Sequence, residues 1–214
     1  PGFATALRPG AVVIDMSSSA PTQTIALAQE LQARDVTLID APVSGGVAKA
    51  RDGTLAILVG GEAEVVGRVR PALEAMGASI IHTGATGSAH CMKALNNYVS
   101  AAGLVAVSEA LHVGTRFGLT PETIVEALNA STGRNNTTER KALPFMVSQS
   151  YDSGFAMNLM AKDIGIAADL ADELGLKVVE LALMARLWRE ASEALGPDAD
   201  HTAMHRFVGE TARK

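Results

Sequence analysis

The chain has 214 residues, of which 48% are hydrophobic, 19% charged and only 4% aromatic. That length accommodates one large domain or two small ones around a substantial core. A net charge of −5 without a block of Lys or Arg argues against nucleic acid as the main partner. The single cysteine, Cys91, excludes an intrachain disulfide and favours a reducing compartment. No apolar run of about 18 residues suggests a membrane span, so we expect a cytoplasmic protein without a membrane partner.

The first part of the chain alternates strand and helix patterns. Short apolar runs predict strands at residues 11–16, 36–43, 54–59 and 79–82, and helices are predicted at residues 21–34 and 62–76. The first two strands and their helix form a βαβ unit, so those strands should be parallel.

One long helix is predicted from residue 88 to residue 117, because this stretch lacks Pro and is rich in Ala, Leu and Met. About 30 residues would make a rod roughly 45 Å long. Steps of three and four predict its buried face. That face comprises Met92, Leu95, Val99, Ala102, Ala106, Ala110 and Val113.

The rest of the chain has only helical patterns. Thr120 and Pro121 are a good N-cap and first residue for a helix to residue 129, before a polar turn at 131–136. A segment at 138–147 should break at Pro144. Further helices are expected at residues 157–174, 176–195 and 201–209. We therefore predict an α/β domain at residues 1–86 and an all-helical domain at residues 87–214, built on the long helix.

Three polar residues near the start of the long helix are candidates for chemistry. Lys93 and Asn97 are four residues apart on one face, and Asn96 lies beside them. This arrangement would suit a proton donor with an orienting amide. Spacing alone also allows a solvated Lys beside two unremarkable Asn residues.

Two strand ends carry polar turns. Ser44, Gly45 and Gly46 follow a strand where open α/β sheets bind ligands, and their N–H groups and hydroxyl could hold a carboxylate. An ordinary tight turn is the alternative. Ser17, Ser18 and Ser19 follow the first strand, and here helix capping is the structural alternative, with Ser19 the expected capping residue.

Two further groups are ambiguous from sequence alone. Lys162 and Asp163 are neighbours early in a predicted helix, where a solvated ion pair is one interpretation. His201 and His205 are four residues apart but have no Cys or carboxylate at metal-ligand spacing, so we predict an adventitious surface pair and no metal site.

Four segments together resemble the β-hydroxyacid dehydrogenases, the family of 3-hydroxyisobutyrate dehydrogenase and tartronate semialdehyde reductase. They are VVIDMSSSAP, DAPVSGGVAKARDGTLAILVGG, TGATGSAHCMKALNN and FAMNLMAKDIGIA, in the family's order and across almost the whole chain. The resemblance implies part of a Rossmann-type NAD(P)-binding domain followed by a helical domain of the 6-phosphogluconate dehydrogenase type.

The resemblance also implies roles for individual residues. Lys93 would be the general acid/base, with Asn97 beside it as a second catalytic residue. Substrate binding would fall to Ser44, Gly45, Gly46 and Asn96. Cofactor binding would fall to Ser18, then Ser17, with Lys162 and Phe155; Asp163 would be an orienting partner. Imine reductases share the architecture but lack this Lys, so Lys93 favours a hydroxyacid substrate.

The sequence contains no G-x-G-x-x-G, the turn that places a dinucleotide's pyrophosphate at a helix start. We therefore expect a fragment of a longer protein, with impaired binding of NAD or NADP, which the sequence does not distinguish. A homodimer or homotetramer is expected from the family's subunit contacts. Two alternatives stay open: a non-catalytic oligomerising module, and a sensor that binds a small acid without turning it over.

Overall fold

The computed structural model describes residues 2–212, which form two compact units. The first comprises residues 2–95 with Asp172–Leu174, and the second comprises Asn96–Ala171 and residues 175–212. Residue 1 and residues 213–214, at the ends of the two predicted domains, lie outside the described part. No helix within residues 2–212 is both long and apolar enough to cross a membrane.

The first unit is built on a five-stranded sheet. Its strands are β1 (Val12–Asp15), β2 (Thr37–Asp40), β3 (Val43–Ser44), β4 (Leu55–Gly60) and β5 (Gly77–Gly84). Its helices are a 3₁₀ turn at Phe3–Ala6, α1 (Pro21–Gln32), α2 (Gly46–Arg51) and α3 (Ala63–Glu74). The predicted alternation of strand and helix is confirmed, whereas the short helix α2 was not predicted.

The sheet is mixed rather than parallel throughout. β1 and β2 pair in parallel around α1, as the βαβ pattern predicts, and β4 and β5 are also parallel. The contacts of β4 with β2 and β3 are antiparallel. The predicted strand at residues 36–43 is interrupted at Pro42, which has no N–H to donate. The carbonyl of Pro42 nevertheless accepts a hydrogen bond from the backbone N–H of Leu58. β2 and β3 therefore pair with successive parts of the same strand, β4.

Apolar strand residues form the core of this unit. Ile39, Ile57 and Val59 are fully buried, and Leu73 of α3 packs in the same cluster. Alternate residues of β4 are buried, which fits a strand with one face against a helix layer. The sheet core therefore fixes the strand ends that carry Ser17, Ser44 and Asp40.

A 30-residue helix, α4 (Ser88–Phe117), has the predicted bounds. Within the described residues, five α-helices follow it: α5 (Pro121–Ala130), α6 (Asn136–Arg140), α7 (Met157–Glu173), α8 (Val179–Leu195) and α9 (Met204–Thr211). A 3₁₀ helix at His201–Ala203 directly precedes α9. Thr120 caps α5 as predicted, its hydroxyl accepting from the N–H of Thr123. The predicted break at Pro144 is wrong. The helix ends before Lys141, and Pro144 lies inside a π-helix at Ala142–Val147.

The predicted buried face of α4 is also wrong. Val99 and Val113 are 67% and 71% exposed, whereas Leu104 and Leu111 are buried. Apolar residues occur on more than one side of this helix, so the three-four spacing fits two faces equally well. The face that is buried in the structure carries Ala94, Ala101, Leu104, Val105, Ser108 and Leu111.

Candidate active site

A buried carboxylate fixes the start of α4, where Lys93 lies. Asp40, at the end of β2, accepts hydrogen bonds from the backbone N–H of Gly87 (2.7 Å) and of His90 (2.8 Å). The first N–H groups of a helix lack partners within the helix, and its N-terminus favours negative charge. Asp40 therefore caps α4 from another element of the first unit. Sequence analysis missed this role, although DAPVSGG begins with this residue.

The packing around Asp40 leaves no space beside it. A Cβ on Gly60 would collide with Oδ1 of Asp40, so this strand position accepts only glycine. His90 is also buried, and its Nδ1 lies 2.7 Å from the hydroxyl of Thr24. The same hydroxyl lies 3.0 Å from the carbonyl oxygen of Ala20. The start of α4 is thus held by both β2 and α1.

The Ser44-Gly45-Gly46 turn joins β3 to α2. Gly45 and Gly46 have φ values of 134° and 67°, a region that glycine occupies without strain. A Cβ on Gly45 would lie 2.8 Å from Cβ of Lys49, so the turn also requires a glycine for space. Both glycines are exposed, and their backbone is open to a ligand. The predicted carboxylate-binding role of this turn stays a prediction.

The serine cluster follows β1. The N–H of Ser17 donates to Asp15 at 2.9 Å, and the hydroxyls of Ser17 and Ser19 lie 2.8 Å apart. The predicted capping role of Ser19 is wrong, because Ala20 is the N-cap of α1 and no side chain caps it. Ser17 is exposed and Ser18 is half-buried at the carboxyl end of β1.

In the second unit a polar network joins α4 to α7. Buried Asn97 donates from Nδ2 to Oδ2 of Asp163 at 2.5 Å. Nζ of Lys162 lies 3.2 Å from the other oxygen, Oδ1, as an ion-pair contact rather than an aligned hydrogen bond. Asn96 donates to the side-chain oxygen of Asn97 at 3.1 Å. The structure thus brings together Asn96, Asn97, Lys162 and Asp163.

This network fixes the orientation of the side-chain amide of Asn97. Asp163 is buried, and as a carboxylate it only accepts hydrogen bonds. It therefore fixes the amide of Asn97 with its NH₂ group toward Asp163. Lys93 lies one turn earlier on α4, about 6 Å along the helix axis. The interpretation of Lys162 and Asp163 as a merely solvated pair does not hold for the buried Asp163.

Phe155 precedes α7 in a segment held by Asp200. The carboxylate of Asp200 accepts from the backbone N–H of Gly154 and Phe155 and from the hydroxyl of Ser153. Burial alone would raise the pKa of Asp200, but hydrogen bonds from His201, Thr202 and Ser153 hold it well below its usual range.

The two histidines near the end of the chain are not a surface pair, and that prediction is wrong. His201 is buried, and its backbone N–H donates to the carbonyl of Phe155 at 2.8 Å. The ring of His205 stacks on that of His112, with centroids 4.3 Å apart. Burial, followed by the charge of His112, lowers the pKa of His205 to about 4. Within residues 2–212 no cluster of three or more His, Cys, Asp or Glu could hold a metal.

Two family models match this chain. Residues 1–84 match the family model described as the NAD binding domain of 6-phosphogluconate dehydrogenase. Residues 87–208 match the model described as NAD-binding of NADP-dependent 3-hydroxyisobutyrate dehydrogenase. The solved structure of Mycobacterium tuberculosis 3-hydroxyisobutyrate dehydrogenase with L-serine superposes with a TM-score of 0.87 at 29% identity. That match covers 96% of this chain and 72% of the solved chain.

Two curated relatives are similar in sequence. The 2-(hydroxymethyl)glutarate dehydrogenase of Eubacterium barkeri is 35% identical over 195 residues, which are 91% of this chain and 64% of the relative. The mitochondrial 3-hydroxyisobutyrate dehydrogenase of Mus musculus is 32% identical over 194 residues, which are 88% of this chain and 58% of the relative. The chain thus spans less than two thirds of the length of these relatives.

The fold and the two model matches define a Rossmann-type NAD-binding region followed by a helical C-terminal domain, which confirms the predicted fold class. The chain belongs to the β-hydroxyacid dehydrogenase family.

Proposed function

We propose that this chain carries the substrate-binding and proton-transfer residues of an NAD(P)-dependent dehydrogenase for a small β-hydroxyacid. The observation that carries the proposal is the buried hydrogen bond from Asn97 to Asp163, with Lys162 on the other carboxylate oxygen. A buried amide with a fixed orientation, one turn from a Lys, has the form of a substrate-orienting group beside an acid/base.

Lys93 is the proposed general acid/base. During oxidation its neutral amine takes the proton from the substrate hydroxyl, and during reduction its ammonium returns a proton to the carbonyl oxygen. NAD or NADP, when bound, would supply the hydride-transfer chemistry at the carbon that bears this oxygen. Asn97 holds the substrate oxygen in place, because Asp163 fixes the orientation of its amide. Asn96 is a second proposed contact to the substrate.

The substrate carboxylate is assigned to Ser44, Gly45 and Gly46. Their turn follows a strand of the sheet, and neither glycine has a side chain that would shield the exposed backbone. Ser17 and Ser18, with Lys162 and Phe155, are the proposed contacts to the cofactor. Ser18, at the carboxyl end of β1, is the first proposed contact to the ribose beside the nicotinamide, and Ser17 is the second.

Cofactor binding by these 214 residues alone is proposed to be weak. A phosphate-binding helix start contributes several hydrogen bonds from backbone N–H groups, and the sequence has no G-x-G-x-x-G to form one. Each 1.4 kcal/mol lost weakens binding about tenfold, so a micromolar site would become millimolar or weaker. Either NAD or NADP is compatible with this proposal. A cytoplasmic location, and a boundary between the two domains after residue 86, are further proposals.

We also propose a homodimer or homotetramer. The wrongly assigned face of α4 supports this, because six of its eight apolar residues are exposed, Ala102 and Ala110 are half-buried, and all eight follow a near-heptad spacing. We call this face the exposed stripe: Met92, Leu95, Val99, Ala102, Ala106, Ala110, Val113 and Phe117. A seam with this period is the pattern by which one helix packs along another. A second copy of the chain would bury it.

The decisive experiment for the dehydrogenase proposal is Lys93→Ala. Oxidation of 3-hydroxyisobutyrate would be followed by nicotinamide absorbance, with NAD or NADP raised until the rate no longer increases. Removal of a general acid/base should lower kcat by about 10²–10⁴-fold, with little change in cofactor affinity. Exposed Lys177→Ala is the matched control and should keep native kcat. A near-normal kcat for Lys93→Ala would remove this residue from the mechanism.

A further inference from the structure

Lys141 is a half-buried cation that the proposed mechanism does not use. It lies between α6 and the π-helix, and its Nζ makes a long contact of 3.5 Å with the hydroxyl of Ser100 on α4. Burial lowers the pKa of Lys141, and the charge of Asp200 partly opposes that shift. Among residues 2–212 no carboxylate forms an ion pair with this ammonium. An ammonium has three donors, so hydrogen-bonding capacity is left over.

Asp200 does not explain why a cation is kept here. Its two oxygens already accept from Ser153, Gly154 and Thr202, which satisfies the carboxylate without Lys141. Withdrawing a charge from water without a partner is unfavourable, and an anion bound from solution would offset that cost.

The position of Ser100 links this cation to the proposed substrate site. Ser100 is three residues beyond Asn97 and four beyond Asn96, so these residues share one face of α4. The axial distance from Asn97 to Ser100 is about 4.5 Å. A short carbon arm on a molecule held by Asn97 would span that distance along the helix.

We propose that Lys141 binds a second carboxylate of the substrate, so that the site prefers β-hydroxyacids with an acidic arm. This inference rests on the proposed function, since it takes Asn97 as a substrate contact. The ammonium of Lys141 donates to the distal carboxylate, and the hydroxyl of Ser100 is a second donor beside it. Lys141 is thus a specificity-determining residue rather than an acid/base.

Two ligands that differ only at the distal group test the inference. One is 2-(hydroxymethyl)pentanedioate, and the other is 2-(hydroxymethyl)pentanoate, which has a methyl group in place of the distal carboxylate. Both would be titrated into the 214-residue chain, with binding read from amide chemical shifts, so that cofactor affinity does not limit the measurement. We expect the dicarboxylate to bind about tenfold more tightly, which corresponds to 1.4 kcal/mol.

Variants of Lys141 distinguish an effect of its charge on binding from an effect of the substitution on folding. Lys141→Met should bring the affinity ratio of the two acids to about one and leave the monocarboxylate affinity unchanged. Lys141→Arg should retain part of the preference, and exposed Lys177→Met should retain all of it. Equal thermal midpoints would show that Lys141→Met is folded; if it unfolds, Lys141→Gln takes its place.

Several outcomes would overturn the inference. A ratio near one in the native chain, a ratio unchanged by Lys141→Met, or no binding of either acid would each do so. Asn97→Ala tests the proposed function separately, since it should weaken both acids equally. If Asn97→Ala changes neither affinity, the proposed substrate site is wrong. If it weakens both while Lys141→Met has no effect, only the role of Lys141 is wrong.

Discussion

Replacing Asp40 should loosen the start of the helix that carries Lys93. The carboxylate of Asp40 is fully buried and accepts from the N–H groups of Gly87 and His90, one on each oxygen. In Asp40→Ala both N–H groups lose their partner. In Asp40→Asn one carbonyl oxygen remains, but the amide NH₂ faces the other N–H group as a second donor.

The contacts set the size of the effect. A buried donor left without a partner costs about 1–3 kcal/mol, and a charge at a helix N-terminus is worth about 0.3–1 kcal/mol. Two donors and the lost charge together amount to about 2–7 kcal/mol for Asp40→Ala. About 1–4 kcal/mol is expected for Asp40→Asn, because one acceptor is kept but the charge is lost. The larger loss would be a substantial part of the 5–15 kcal/mol typical of whole proteins.

Urea unfolding followed by circular dichroism measures these changes, and hydrogen exchange locates them. Amides of the first turn of α4 should exchange faster in both variants than those near its middle. Exposed Asp52→Asn is the control in the same unit and should change stability by less than about 0.5 kcal/mol. If Asp40→Asn and Asp40→Ala unfold at the native urea concentration, Asp40 does not cap α4.

Three further predictions concern assembly, cofactor and pH. Light scattering at micromolar concentration should show a dimer or larger species that Val113→Glu dissociates; a native monomer would count against the exposed stripe as an interface. Calorimetry with NAD and NADP should give millimolar or weaker dissociation constants, and micromolar affinity would contradict the proposal of weak binding. Because the folded pKa of His205 is about 4, below an unfolded value of about 6.5, the unfolded chain binds more protons between these pH values. Stability should therefore fall as pH decreases through that window, less steeply in His205→Gln, and identical slopes would refute this role.

Local patterns predicted most of the secondary structure. The bounds of α4 and the cap at Thr120 follow from helix propensity and N-cap chemistry, which act over a few neighbouring residues. The parallel pairing of β1 and β2 follows from the βαβ pattern. The antiparallel contacts of β4 were not predictable, because a strand's direction in a sheet depends on the path of the chain between distant segments.

The candidate residues of the site were found in the sequence, but their connections were not. Lys93, Asn97 and Lys162 stand out through motifs that resemble one family. The roles of Asp40 and Lys141 were not identified from the sequence, since each contacts a partner more than 40 residues away in the chain. A possible signal for Asp40 was a carboxylate at the end of a buried strand, where burial requires hydrogen-bond partners.

The exposed stripe of α4 shows most directly what the sequence determines and what tertiary packing determines. The sequence by itself determined that residues 88–117 form one uninterrupted helix, because every turn contributes its own hydrogen bonds and side-chain propensities. It also determined which apolar residues share a face. It did not determine which face is buried, because Leu104 and Val99 are comparably apolar and differ only in what packs beside them. Tertiary packing buried Leu104 and left Val99 exposed, since burial depends on residues far away in the chain.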